Sequence, residues 1–89
     1  MYYLYILKSE KSGKYYIGHT NDLDRRIKEH NSGQTKSTRA GVPWEPVYVK
    51  EYETNIEAGK EELRLKRMKS RKYIEKLIGL ARPDESGRS

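Results

Sequence analysis

Lys14-Tyr15-Tyr16-Ile17-Gly18-His19-Thr20-Asn21-Asp22-Leu23-Asp24-Arg25-Arg26-Ile27-Lys28-Glu29-His30-Asn31 changes its hydrophobic period part-way along, and that change decides the fold. Up to His19 the stretch is dense in Tyr and Ile and reads as a strand. Thr20, Asn21 and Asp22 then supply helix-start side chains, Asp22 and Asp24 fall in the first turn, and Leu23 and Ile27 recur four apart. A strand therefore runs directly into a helix, which is expected to stop at Gly33.

Working outward, residues 2–8 are as rich in Tyr, Ile and Leu as residues 14–19, and Ser9-Glu10-Lys11-Ser12-Gly13 separates the two runs as a hairpin turn would. Pairing centred on Glu10-Lys11 sets Tyr5 opposite Tyr16 on one face, and a one-residue slip separates them. Downstream, residues 34–46 form a polar connector in which Pro43 and Pro46 flank Trp44 and exclude regular helix. Val47 to Tyr52 reads as a third strand. Thr54-Asn55 caps a helix from Ile56 to Met68 in spite of Gly59, and a last helix carries Tyr73, Ile74, Leu77 and Ile78. The order ββαβαα predicts an α+β fold, an α/β sandwich in which a small three-stranded antiparallel or mixed sheet is flanked by about three helices. Residues 1–81 are expected to form one domain, and 82–89, rich in charge with Pro, Gly and Ser, a disordered tail.

At 89 residues such a domain has a thin core, and charged residues (36%) outnumber hydrophobic ones (34%). Eight Tyr and one Trp, with no Phe, must supply much of the packing, so hydroxyls accompany the aromatic rings wherever they go. A net charge of +6 and a pI near 9.5 favour a polyanionic partner, nucleic acid first. A membrane is disfavoured, because apolar runs such as Leu4-Tyr5-Ile6-Leu7 fall far short of a span. The absence of cysteine excludes disulfides and thiolate metal sites. Met1-Tyr2-Tyr3-Leu4 lacks the charged-then-apolar layout of a secretory signal, so the cytoplasm is the expected location.

Several polar side chains fall on inward faces. In the first helix Leu23, Arg26, Ile27 and His30 share an arc of about 100°, whereas Arg25 points away. A guanidinium on that side needs an anion, and either a structural carboxylate or a bound phosphate satisfies it. His30 reads either as a packed, hydrogen-bonded histidine or as a proton carrier. Ala58, Glu62 and Leu65, spaced i, i+4, i+7, set a carboxylate beside apolar neighbours, where it can pair with Arg26 or hold a divalent ion. Glu61 lies at the other edge of the same arc, so periodicity does not choose between the two. Two phenols, an arginine, a histidine and a glutamate on one patch match the needs of phosphodiester hydrolysis: proton removal, charge stabilisation and metal binding.

The spacing Leu4-Tyr5-Ile6, Tyr16-Ile17-Gly18 and Arg26, followed by Thr38-Arg39, Pro43-Trp44 and the Ala58-to-Lys66 segment, resembles a GIY-YIG nuclease domain over roughly residues 2–80. It is most similar to the small stand-alone members, which are little more than the catalytic module of excision-repair and homing endonucleases. The resemblance implies a metal-dependent endonuclease acting on DNA, in repair or recombination, through one Mg²⁺ or Mn²⁺ ion held by Glu62. It implies further that Arg26 steadies the phosphate and that Tyr5 and Tyr16 flank the attacking water, with Tyr5 favoured as the base and His30 accepting its proton. Nucleic-acid contacts are expected at His19, Arg39, Lys66 and Lys69; residues 60–76 hold eight Lys or Arg against three Glu. His19 stands where many relatives have Lys, and Leu80-Ala81-Arg82-Pro83 offers no counterpart to the Asn that relatives often place after the last helix. The competing readings are a catalytically weak or inactive nucleic-acid-binding module of the same fold and, less favoured, an RNA-binding protein. A homodimer or a partner protein is the expected source of sequence specificity.

Overall fold

A computed structural model of the chain describes residues 1–81; the tail expected at 82–89 lies outside them. Seven elements follow the expected order: β1 (Tyr2–Ser9), β2 (Tyr15–Thr20), α1 (Leu23–Asn31), a 3₁₀ turn (Arg39–Gly41), β3 (Trp44–Tyr52), α2 (Asn55–Met68) and α3 (Arg71–Ala81). The sheet is antiparallel throughout, in the order β2-β1-β3. β1 is central and covered on both sides, which is why Leu4-Tyr5-Ile6-Leu7 is an unbroken buried run rather than an alternating one.

The two faces carry separate cores. Leu4, Ile6 and Ile17 point to one side, where Leu65 of α2 and Ile74 of α3 close over them. Tyr5 and Leu7 point to the other, against Trp44 and, from α1, Leu23 and Ile27. Tyrosines do the work that Phe does elsewhere: Tyr15, Tyr48, Tyr52 and Tyr73 pack around the first core and Tyr16 against the second. Both long caps form as the sequence dictates. The Asp22 carboxylate accepts from Arg25 N at 3.2 Å, and Thr54 and Glu57 form a reciprocal capping box at the start of α2.

Two expectations are corrected. The hairpin pairs Tyr5 with Gly18 and Leu7 with Tyr16, so its centre lies one residue beyond Glu10-Lys11. The turn decides this: the Ser9 hydroxyl accepts from Lys11 N and Ser12 N, Ser9 N donates to the Lys14 carbonyl at 2.9 Å, and Gly13 takes a left-handed φ of 76°. The shift moves Tyr5 by two places against β2, so both phenols keep the same face and become diagonal neighbours. The third strand begins at Trp44 rather than Val47 and contains Pro46. An edge strand tolerates the missing N–H, and a register irregularity opposite Ile6/Leu7 absorbs it. Among the described residues, no helix is long and apolar enough to cross a membrane.

Candidate active site

Gly18 lies where Tyr5 needs space. From the central strand the Tyr5 ring crosses over Gly18 on β2, so closely that a Cβ there would lie 2.6 Å from the phenol oxygen and 2.8 Å from Cζ. Glycine at this position therefore lets the hydroxyl reach the outer strand. Gly18→Ala is expected to cost about 1–3 kcal/mol by overpacking and to displace the phenol, measurable as a lower urea midpoint together with a changed Tyr5 ring signal. An unaltered midpoint and ring signal would show that the ring does not need this passage.

Around that hydroxyl the second face gathers its polar groups. Tyr5 Oη lies 3.0 Å from His30 Nε2. The Tyr16 ring centroid is 6.4 Å from that of Tyr5 and 4.9 Å from that of His30. Tyr5 is 1% exposed and His30 0%. Burial pushes the Tyr5 phenol up to about 12, although a hydrogen bond from the Arg26 guanidinium works the other way. Burial, helped by the positive charge of Arg26, holds His30 below its ordinary value, so the imidazole is neutral at pH 7.

The helical wheel separates the two arginines correctly. The Arg25 side chain is 65% exposed and that of Arg26 32%. Arg26 bonds Glu29 at 2.9 Å, one turn along the same helix, and its guanidinium also faces Tyr5. A direct pair between Arg26 and Glu62, one of the two partners considered for that carboxylate, does not form. Glu62 reaches the β2 edge from the other sheet face, bonded to His19 Nδ1 through Oε1 and to Lys66 Nζ at 2.6 Å through Oε2. Burial pushes its carboxyl upward, but the bonds from Lys66 and His19 outweigh this and hold it below the usual range. Lys66 Nζ in turn lies 5.9 Å from the centre of the Tyr16 ring, linking the carboxylate to the phenols around that edge. Glu61, by contrast, gives both oxygens to Arg64.

Tyr5, Tyr16, Arg26 and His30 thus come together, and Glu62, His19 and Lys66 adjoin them. Arg39, on the 3₁₀ turn, and Lys69, at the left-handed C-cap of α2, are exposed. Thr38 and Asn31 were not foreseen. Thr38 Oγ1 lies 2.8 Å from His30 Nδ1, and the Asn31 amide pins the backbone of Trp44 through both its nitrogen and its oxygen. A buried hydroxyl in a polar connector leaves no periodic trace, so Thr38 figured in the sequence only within the Thr38-Arg39 pair of the family resemblance, without a role of its own.

As a metal holder Glu62 offers one carboxylate, 18% exposed, and no group of three or more His, Cys, Asp or Glu that could hold an ion occurs among the described residues. This donor set suits a hard divalent cation that takes most of its ligands from water and phosphate, and not a closed protein cage.

The neutral state of His30 sets a pH dependence. Its folded pKa lies below its unfolded one, so the unfolded chain binds the proton first as pH falls. The stability this contributes is complete above about pH 6.5 and is lost on acidification toward the lower, folded value. Urea midpoints between pH 7.5 and pH 5 are expected to fall less steeply in His30→Gln than in the parent. Equal slopes would mean that His30 is not held neutral.

Fold and site together define a small α+β domain whose polar groups gather at the outer edge of a three-stranded sheet. The chain belongs to the GIY-YIG family: the family model described as the GIY-YIG catalytic domain matches residues 1–74. It is 43% identical over 68 residues to a UPF0213 protein of Streptococcus pneumoniae, covering 75% of this chain and 68% of that protein. It is 42% identical over 80 residues to a UPF0213 protein of Bacillus pumilus, covering 85% and 81%. The solution NMR structure of the UPF0213 protein BH0048 from Bacillus halodurans matches with a TM-score of 0.59 at 37% identity, over 94% of this chain and 89% of that one. These relatives form a small stand-alone branch of the family.

Proposed function

We propose that this protein is a metal-dependent endonuclease that hydrolyses DNA phosphodiester bonds by in-line attack of an activated water. The observation that carries the reading is the meeting, at the β2 edge, of the Tyr5–His30 pair and Arg26 from one sheet face with Glu62 from the other. Glu62 would hold a divalent ion, Mg²⁺ or Mn²⁺, which supplies positive charge to the phosphate oxygens and acidifies bound water. Arg26, with donors to spare beyond Glu29, stabilises the charge of the five-coordinate phosphorus.

With its pKa near 12, the Tyr5 phenol does not stand as phenolate at neutral pH. It works as a relay: as the water gives up a proton to Tyr5 Oη, the phenol's own proton passes to His30 Nε2. The water oxygen bonds to phosphorus, the bond to the leaving sugar oxygen breaks, and that oxygen takes a proton from solvent. Engagement of Arg26 with a phosphate brings substrate and water to the phenol. Tyr16, half-buried beside His30, orients that water.

His19, Arg39, Lys66 and Lys69 contact the sugar-phosphate backbone. Such contacts carry no base information, so sequence discrimination falls to a second copy of the chain or to a partner protein. Repair or recombination of DNA in the cytoplasm is the setting this activity fits.

A panel of single-stranded, duplex and branched DNA, and RNA, incubated with Mg²⁺, Mn²⁺ or EDTA tests the reading. DNA cleavage that EDTA abolishes is the expected result. Every DNA form left intact with both metals, with binding retained, would establish the binding module instead.

A further inference from the structure

The Tyr5–His30 contact is one link in a longer series of buried polar groups. Thr38, 1% exposed, places Oγ1 2.8 Å from His30 Nδ1 and 3.4 Å from the Thr35 carbonyl oxygen. A carbonyl only accepts, so with the single hydroxyl proton of Thr38 given to Thr35 the hydroxyl oxygen accepts from the imidazole. Nδ1 then carries the ring proton, and the Nε2 lone pair faces Tyr5.

The opposite end of the series leads independently to the same assignment. Among the described residues the Tyr5 hydroxyl has one hydrogen-bond partner able to accept, His30 Nε2 at 3.0 Å, so the phenol's own proton is directed there. With the other tautomer, Nε2–H would donate to the Tyr5 oxygen, and the phenol's proton would lack an acceptor among the described residues at a site 1% exposed. Thr38 is itself held in place by its backbone. Its carbonyl accepts from Trp44 Nε1 at 2.7 Å and from Gly41 N at 3.1 Å, and its N–H donates to Thr35 O at 3.1 Å.

We propose that Thr38 is a positioning residue for the reaction: its hydroxyl fixes neutral His30 as the Nδ1–H tautomer and so keeps Nε2 free to take the Tyr5 proton. This rests on the reading that the Tyr5–His30 pair moves a proton during hydrolysis. On transfer the Tyr5 O–H bond breaks and an Nε2–H bond forms while Oη takes the water's proton, leaving a neutral phenol and an imidazolium whose Nδ1–H still points at Thr38. Release of one proton from Tyr5 Oη to solvent, with the Nε2 proton returning to that oxygen, resets the site. The Trp44 connector thereby acquires a task, since it holds the residue that sets the histidine.

Long-range ¹H–¹⁵N correlation of the imidazole rings in the metal-free, DNA-free protein at neutral pH tests the assignment directly. His30 is expected to show a protonated Nδ1 and an unprotonated Nε2. Thr38→Val is expected to move His30 toward the Nε2–H form and to lower kcat by roughly 10- to 100-fold, with KM little changed. Thr38→Ser, which keeps the hydroxyl, is expected to retain the tautomer and to cleave within about threefold of the parent. An Nε2–H tautomer in the parent would overturn the proposal, whether or not Thr38→Val folds. So would a folded Thr38→Val protein with unchanged tautomer and rate. Failure of the nuclease reading is distinguishable: a parent inert on all DNA, yet Nδ1-protonated, would remove the catalytic role and leave the tautomer assignment standing.

Discussion

Glu62→Gln is expected to lower single-turnover DNA cleavage by roughly 10²- to 10³-fold or more while leaving DNA affinity intact or slightly improved. Glutamine keeps the shape of the side chain and its place between His19 and Lys66, so little packing is lost. The negative charge goes, and with it the carboxylate proposed to hold the ion. Lys66, no longer paired, becomes a freer phosphate contact, which is why binding measured by fluorescence anisotropy should not fall. Glu61→Gln is the matched control. Its carboxylate gives both oxygens to Arg64, so cleavage should stay near the parent's. If Glu62→Gln cleaves normally in Mg²⁺, or if Glu61→Gln is the variant that fails, the metal assignment is wrong.

The second large effect is expected at Arg26. Arg26→Ala should reduce kcat by roughly 10²- to 10³-fold, whereas Arg25→Ala, one residue earlier and exposed, should leave the rate nearly unchanged. Arg26→Lys is not expected to rescue it. The guanidinium bonds Glu29 and faces Tyr5 at the same time while keeping donors for a phosphate, and a single ammonium cannot reproduce that fork. Lost stability does not account for the predicted change, because the Arg26–Glu29 pair is half-exposed and such pairs contribute about 0–1 kcal/mol. Equal rates for the Arg25 and Arg26 alanine variants would remove Arg26 from the mechanism.

Much of the candidate site was legible because amphipathic periodicity reports direction. The spacing of Leu23, Arg26, Ile27 and His30 distinguished Arg26 from Arg25, and the spacing of Ala58, Glu62 and Leu65 placed a carboxylate beside apolar neighbours; both helices present those faces. Capping chemistry is similarly local, and the starts at Asp22 and Thr54 could be read from a few adjacent side chains. Order and type of elements followed from the same short-range signals.

Partners across elements were not legible in this way. The two-place shift of Tyr5 relative to β2 came from the Ser9 hydroxyl and Gly13 closing the turn, and it put the phenol over Gly18. Periodicity left Glu61 and Glu62 level, and the structure gives them different partners: Glu62 bonds His19 and Lys66, and Glu61 bonds Arg64. Thr38 stayed hidden because its role is a single distance to His30 from a connector without a period. By itself the sequence determined which way each helix and strand faces, since that depends on residues within one or two turns of each other. Only the tertiary structure decided which atoms meet, because hydrogen bonds act over about 3 Å and that separation is set by how elements distant in the chain pack together.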